Sequence, residues 1–139
     1  GSGNDLLLAA LDDAVEEIEA PDTGSLRGDL RAVISALLEA SCTSENRQLF
    51  VSILRRALVD ADFAASFRTV IEQRHVALRT AIQRAIARGE VAPDINIEVA
   101  LQFVQGPFLV KRLLENEDVT DRELDALLDF IVRALTTPT

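Results

Sequence analysis

Apolar positions recur along most of this chain at helical spacing, and no run alternates with the period of two that a strand requires. Leu7, Leu8, Leu11, Ala14, Val15 and Ile18 predict a first helix over Asp5–Ile18. The turn residues Ala20-Pro21-Asp22-Thr23-Gly24-Ser25 end it, and Thr23 or Ser25 is placed to cap the next helix. Leu26, Leu30, Val33, Ile34, Leu37 and Leu38 form the stripe of that second helix, Leu26–Ala40. Ser41-Cys42-Thr43-Ser44 breaks it and precedes a third, Glu45–Asp60, that buries Phe50, Leu54, Ala57 and Leu58. A fourth helix is predicted as one piece over Asp62–Arg88, about 40 Å at 1.5 Å per residue. Its stripe is Phe63, Phe67, Val70, Ile71, Leu78, Ala81, Ile82 and Ala85, and Gly89 stops it. After the Pro93 loop, Asn96 caps a fifth helix, Ile97–Leu114. The capping box Thr120-Asp121-Arg122-Glu123 then opens a sixth.

The last two helices carry more apolar surface than one core uses. On a helical wheel Ile97, Leu101, Val104 and Phe108 share one side of the fifth, while Val99, Phe103, Gly106, Val110 and Leu113 lie roughly opposite. In the sixth, Leu124, Leu127, Leu128, Phe130, Ile131, Val132, Ala134 and Leu135 span an arc of about 200°, where a surface helix needs little over 100°. The excess predicts a second copy. Two such helices from each of two chains make a four-helix bundle about a two-fold axis, with the same patch on both partners. Phe103, Gly106, Val110, Leu113, Leu127, Phe130, Ile131 and Ala134 are the expected interface. Pro107 removes a hydrogen bond inside the fifth helix; it either kinks the helix or starts a new turn. The expected fold is all-α: a six-helix orthogonal or antiparallel bundle that dimerises through its last two helices.

Composition narrows the function. Gly1-Ser2-Gly3 reads as an expression scar, leaving residues 4–139 as a single expected domain. The net charge of −9 opposes nucleic-acid binding by these residues. No run is apolar enough for a membrane span, and a lone Cys42 cannot form an internal disulfide, so a cytoplasmic protein without membrane contact is expected. Glu72-Gln73-Arg74-His75 holds an E-x-x-H spacing, but with one histidine in the chain it lacks the second copy that a di-iron bundle requires. No zinc, phosphate-loop or dinucleotide motif occurs, so no metal, cofactor or enzymatic activity is expected.

Arg74 lies in the middle of the fourth helix's apolar stripe, where a guanidinium must be paired. It pairs with an acid of a neighbouring helix or snorkels to the surface, or else it meets a carboxylate or phosphate of a small ligand. Around it, Leu37, Phe50, Leu54, Phe67, Ile71, His75, Leu78, Leu101, Gln105 and Phe108 are the candidate lining of an apolar ligand cavity, or else ordinary core and surface.

Leu6-Leu7-Leu8-Ala9-Ala10-Leu11, Ala20-Pro21-Asp22-Thr23-Gly24-Ser25-Leu26-Arg27-Gly28-Asp29-Leu30, Ala85-Ile86-Ala87-Arg88-Gly89-Glu90-Val91, Pro93-Asp94 and the Gly106-Pro107 helix together resemble the C-terminal domain of TetR-family transcriptional regulators of the AcrR-like branch. The resemblance covers nearly the whole chain. It implies the effector-binding and dimerisation domain of a bacterial repressor, a homodimer that binds an unidentified small molecule. It also implies that DNA is met only through an N-terminal helix-turn-helix domain absent from this chain. The implied pocket lies among the first five helices, touching the Ile97, Leu101 and Phe108 side of the fifth. The residues by themselves leave a rival open, a helical dimerisation or partner-docking module with no small-molecule ligand.

Overall fold

A computed structural model describes residues 6–10, 19–40, 44–113 and 118–137, with the side chains at 40, 44–46, 74 and 112–113 excepted. The protein is all-α, and no strand occurs among the described residues. Residues 6–10 are helical, and the remainder of the first expected helix lies outside the described residues. Next come α1 (Leu26–Ala40), α2 (Ser44–Val59), α3 (Ala61–Arg74), α4 (Val76–Ala87), α5 (Ile97–Leu113) and α6 (Asp121–Thr136).

The long fourth helix expected from the sequence is two helices. The chain turns at His75, whose φ of −86° and ψ of −2° stay in the right-handed region but away from ideal helix, and whose N–H is shared between the Ile71 and Glu72 carbonyls at 3.2 Å each. The apolar stripe keeps its phase through the turn, so periodicity does not reveal it. The chain forms two compact units, residues 1–18 with 36–76 and residues 19–35 with 77–139. The turn therefore falls where the chain passes from one unit's core to the other's.

In the first unit α2 packs on α3 around Ile53 and Phe63, with Leu7, Leu8, Leu49, Ala57, Phe67 and Val70 against them. Asp60 caps α3, its carboxylate accepting from the Phe63 N–H at 3.1 Å, and so ends α2 one residue earlier.

The core of the second unit is built from Leu26, Leu30 and Val33 of α1, Leu78, Ala81, Ile82 and Ala85 of α4, Leu101, Val104 and Phe108 of α5, and Leu124, Leu128, Ile131 and Leu135 of α6. Its helix ends obey the expected local chemistry. Asn96 accepts from the Val99 N–H at 3.2 Å, and Thr120 accepts from the Glu123 N–H at 3.2 Å. Beyond α4, Glu90 N–H reaches the Ala85 carbonyl and Gly89 N–H the Ile86 carbonyl, a closing motif that needs the left-handed φ of +81° at Gly89. Arg27 and Arg31 of α1 meet Asp121, Asp125 and Asp129, spaced one turn apart on α6; the Arg31–Asp125 contact is 3.0 Å.

Leu128→Ala should cost about 2–5 kcal/mol by leaving a cavity in a fully buried position. Thr120→Ala should cost about 1 kcal/mol by freeing an N-terminal donor. Urea unfolding monitored by circular dichroism measures both.

Candidate functional site

The two sides of α5 meet different fates. Ala100, Leu101, Val104 and Phe108 are buried in the core, whereas Val99, Phe103, Leu109 and Val110 are exposed, Phe103 by 47 % and Val110 by 48 %. On α6, Leu124, Leu128, Ile131 and Leu135 face inward and Phe130 remains 69 % exposed, with Ala134 exposed and Leu127 half-buried beside it. Ile131, counted with the interface from the sequence, is 1 % exposed inside its own unit, because it lies on the Leu124 and Leu135 side of the arc. The Leu113 side chain lies outside the described residues. Leu109 is absent from the interface expected from the sequence, though its wheel position beside Gln102 and Gly106 places it on this face. The helix runs through Pro107, which leaves the Phe103 carbonyl without its usual i+4 donor. A Cβ built on Gly106 meets nothing within 4 Å, so the face is notched there. A carboxylate beside it is neutralised within the subunit: Glu123 pairs with Lys111 of α5 and accepts from the Thr120 hydroxyl at 3.1 Å. Lys111 first, then Thr120, holds the Glu123 carboxyl below its ordinary value.

The candidate ligand residues divide between the two units. Leu37, Phe50, Leu54, Phe67, Ile71, Arg74 and His75 belong to the first, and Leu78, Leu101, Gln105 and Phe108 to the second. In the first, Phe50 and Phe67 meet as tilted rings with centroids 6.4 Å apart. Both are half-buried, as are Leu37, Leu54, Ile71 and His75, while the Arg74 side chain lies outside the described residues. In the second, Leu78, Leu101 and Phe108 are core and Gln105 is half-buried.

A polar cluster that the sequence pattern does not single out ties the loop before α1 to the turn after α4. Asp29 is fully buried, and its Oδ1 accepts from the Thr23 N–H at 2.7 Å and the Thr23 hydroxyl at 2.8 Å. Its Oδ2 accepts no hydrogen bond among the described residues and faces the Arg88 guanidinium at 3.6 Å. Arg88 also holds Glu90 at 2.5 Å, and the other Glu90 oxygen accepts from the Leu26 N–H at 3.0 Å, satisfying a first-turn donor of α1. Ser25 caps the same helix through the Gly28 N–H at 3.0 Å. Arg84 donates to the Pro21 carbonyl at 2.8 Å. A side chain at residue 28 would overlap the Thr23 hydroxyl, so glycine is what lets the loop lie against the helix. One signal of the cluster is present in the sequence: Asp29 lies next to Val33 on the wheel, an acid at the edge of the apolar stripe.

Gly28→Ala should therefore destabilise by about 1–3 kcal/mol, read from urea unfolding. The Leu26 amide, and after it Arg88, lowers the Glu90 carboxyl below its ordinary value. Its contribution is complete above the usual glutamate value and is lost as pH falls through the lowered one. Glu90→Gln should flatten that part of the acid-unfolding curve and leave the slope at neutral pH unchanged.

Residues 20–131 match the family described as the tetracyclin repressor-like, C-terminal domain. A Bacillus subtilis (strain 168) protein named as an uncharacterized HTH-type transcriptional regulator, YdeS, is 24 % identical over 112 residues, 80 % of this chain. The chain spans 56 % of that relative's length. The run from Asp22 to Asp29 and the Arg88-Gly89-Glu90 turn, which carry the resemblance in the sequence, are the parts that the buried Asp29 cluster joins. With four-fifths of its length inside the family match, the chain belongs to the tetracyclin repressor-like C-terminal domain family.

Proposed function

We propose that this chain is the dimerisation and effector-binding domain of a transcriptional repressor whose DNA-binding domain lies elsewhere in a longer protein. The observation that carries the reading is the second apolar side of α5, which together with Phe130 is exposed although Leu101, Val104 and Phe108 on the first side are buried in the core. Monomeric proteins seldom leave a contiguous apolar patch of this kind open. A second copy, presenting the same patch, covers it and places two DNA-binding domains at a defined spacing.

The effector site is proposed in the first unit, among the half-buried Phe50, Leu54, Phe67 and Ile71. These side chains suit a small, largely apolar molecule, with Arg74 and His75 in the same stretch of sequence available for an anionic group. The effector acts by population shift: a molecule that prefers one arrangement of the domain biases the dimer toward it, and DNA affinity changes by the same coupling energy. The named relative is a transcriptional regulator with a helix-turn-helix, which supports the DNA-linked part of this reading. Among the described residues no helix is long and apolar enough to cross a membrane, in keeping with a cytoplasmic regulator.

A thermal-shift screen of small aromatic and aliphatic acids should find a compound that raises the melting temperature, by about 2.7 kcal/mol of added stability at a hundred times its Kd. Phe50→Leu should shrink that shift. In the full-length regulator the same compound should change operator affinity in calorimetry; unchanged affinity for every bound compound would sink the switching role. A screen with no stabilising compound would favour a dimerisation and partner-docking module without a ligand, a reading that Leu58 on α2 supports, since the sequence predicts it buried and it is 85 % exposed.

A further inference from the structure

The exposed face of α5 and α6 holds both halves of a knob and hole. The hole is Gly106, around which a built Cβ finds no neighbour within 4 Å, with the exposed Phe103 and Val110 one turn to either side. The knob is Phe130, the one exposed large apolar side chain among the described residues of α6. A single subunit does not bring them together, since both stand open on it.

Their level along the helices makes them exchangeable by symmetry. Lys111, near the end of α5, pairs with Glu123, near the start of α6, and the two helices pack together after a short connection. Such neighbours run antiparallel. Counting back from that pair, Gly106 stands level with Leu128, and Phe130 lies about 3 Å further along at 1.5 Å per residue. A two-fold axis across the pair at that level carries the Phe130 of one subunit over the Gly106 of the other, and the reverse.

A second copy is also the occupant that the surface chemistry selects. The chain carries a net charge of −9, so two copies repel unless they meet where charge is absent or cancelled. On this face Glu123 is already bridged by Lys111 of its own subunit. The five exposed side chains Val99, Phe103, Leu109, Val110 and Phe130 leave on the order of 400 Å² of apolar surface open. That is about half of the roughly 800 Å² per partner in a standard interface, before smaller residues and the rim are added.

We propose that two copies pair isologously with Phe130 of each seated over Gly106 of the other. This rests on the dimer reading above, and it names the contact that sets the register of that dimer. Gly106→Leu fills the hole and Phe130→Ala removes the knob, and neither position packs inside the subunit, so both variants keep their fold by circular dichroism. Each alone should raise the dimer dissociation constant by about tenfold or more in sedimentation equilibrium. Mixed in equal amounts they should recover a dimer tighter than either variant makes alone. In the mixed pair one site is native and the other joins a filled hole to an absent knob. A wild-type chain that stays monomeric at high micromolar concentration would overturn the dimer reading and this pairing together. A dimeric wild type whose two variants do not complement each other would overturn the pairing and leave the dimer reading standing.

Discussion

The helix α5 is apolar on two sides, and the core of the second unit takes up one of them. Leu101, Val104 and Phe108 on one side complete a core with α1, α4 and α6, and their removal from water contributes to holding the second unit together. The other side is left standing in solvent with Phe130 beside it. Near it Lys111 and Thr120 hold the Glu123 carboxylate, so that charge is met within the subunit.

The second unit depends on a different interaction at its opposite end. A fully buried carboxylate is costly unless its oxygens are engaged, and Asp29 is engaged by Thr23 on one oxygen and by the charge of Arg88 on the other. That arrangement lets a loop with a left-handed glycine, Gly24, fold back on the first turn of α1, and lets the turn after α4 supply the Glu90 cap for Leu26. Residues that look like loose family punctuation in the sequence are thus one connected network. Their conjunction has a physical reason: Thr23 and Arg88 engage the two oxygens of the one buried carboxylate, Asp29, and Glu90 caps the helix that carries it.

Helix positions are legible because helical periodicity, caps and stops are local. Asn96, Thr120, Ser25 and Gly89 act where the sequence puts them, and the two sides of α5 divide as the wheel divides them. The turn at His75 is not legible, since the apolar stripe runs through it in phase and neither glycine nor proline marks it. Ile131 is misjudged from the sequence for a similar reason: on an arc of about 200°, the boundary between the covered and open parts is drawn by the neighbouring helices and not by the arc itself.

The sequence by itself determined the all-α class, the helix ends that a cap or a glycine marks, the two-sidedness of α5 and the family, because each rests on residues close in the chain or on their order. Only the tertiary structure decided that Asp29, Arg88 and Glu90 form one cluster, that the chain divides into two compact units with a turn between α3 and α4, and that Phe130 faces out while Ile131 faces in. Those outcomes depend on which helices pack against each other, and a helix's own periodicity says how wide its apolar face is without saying who covers it.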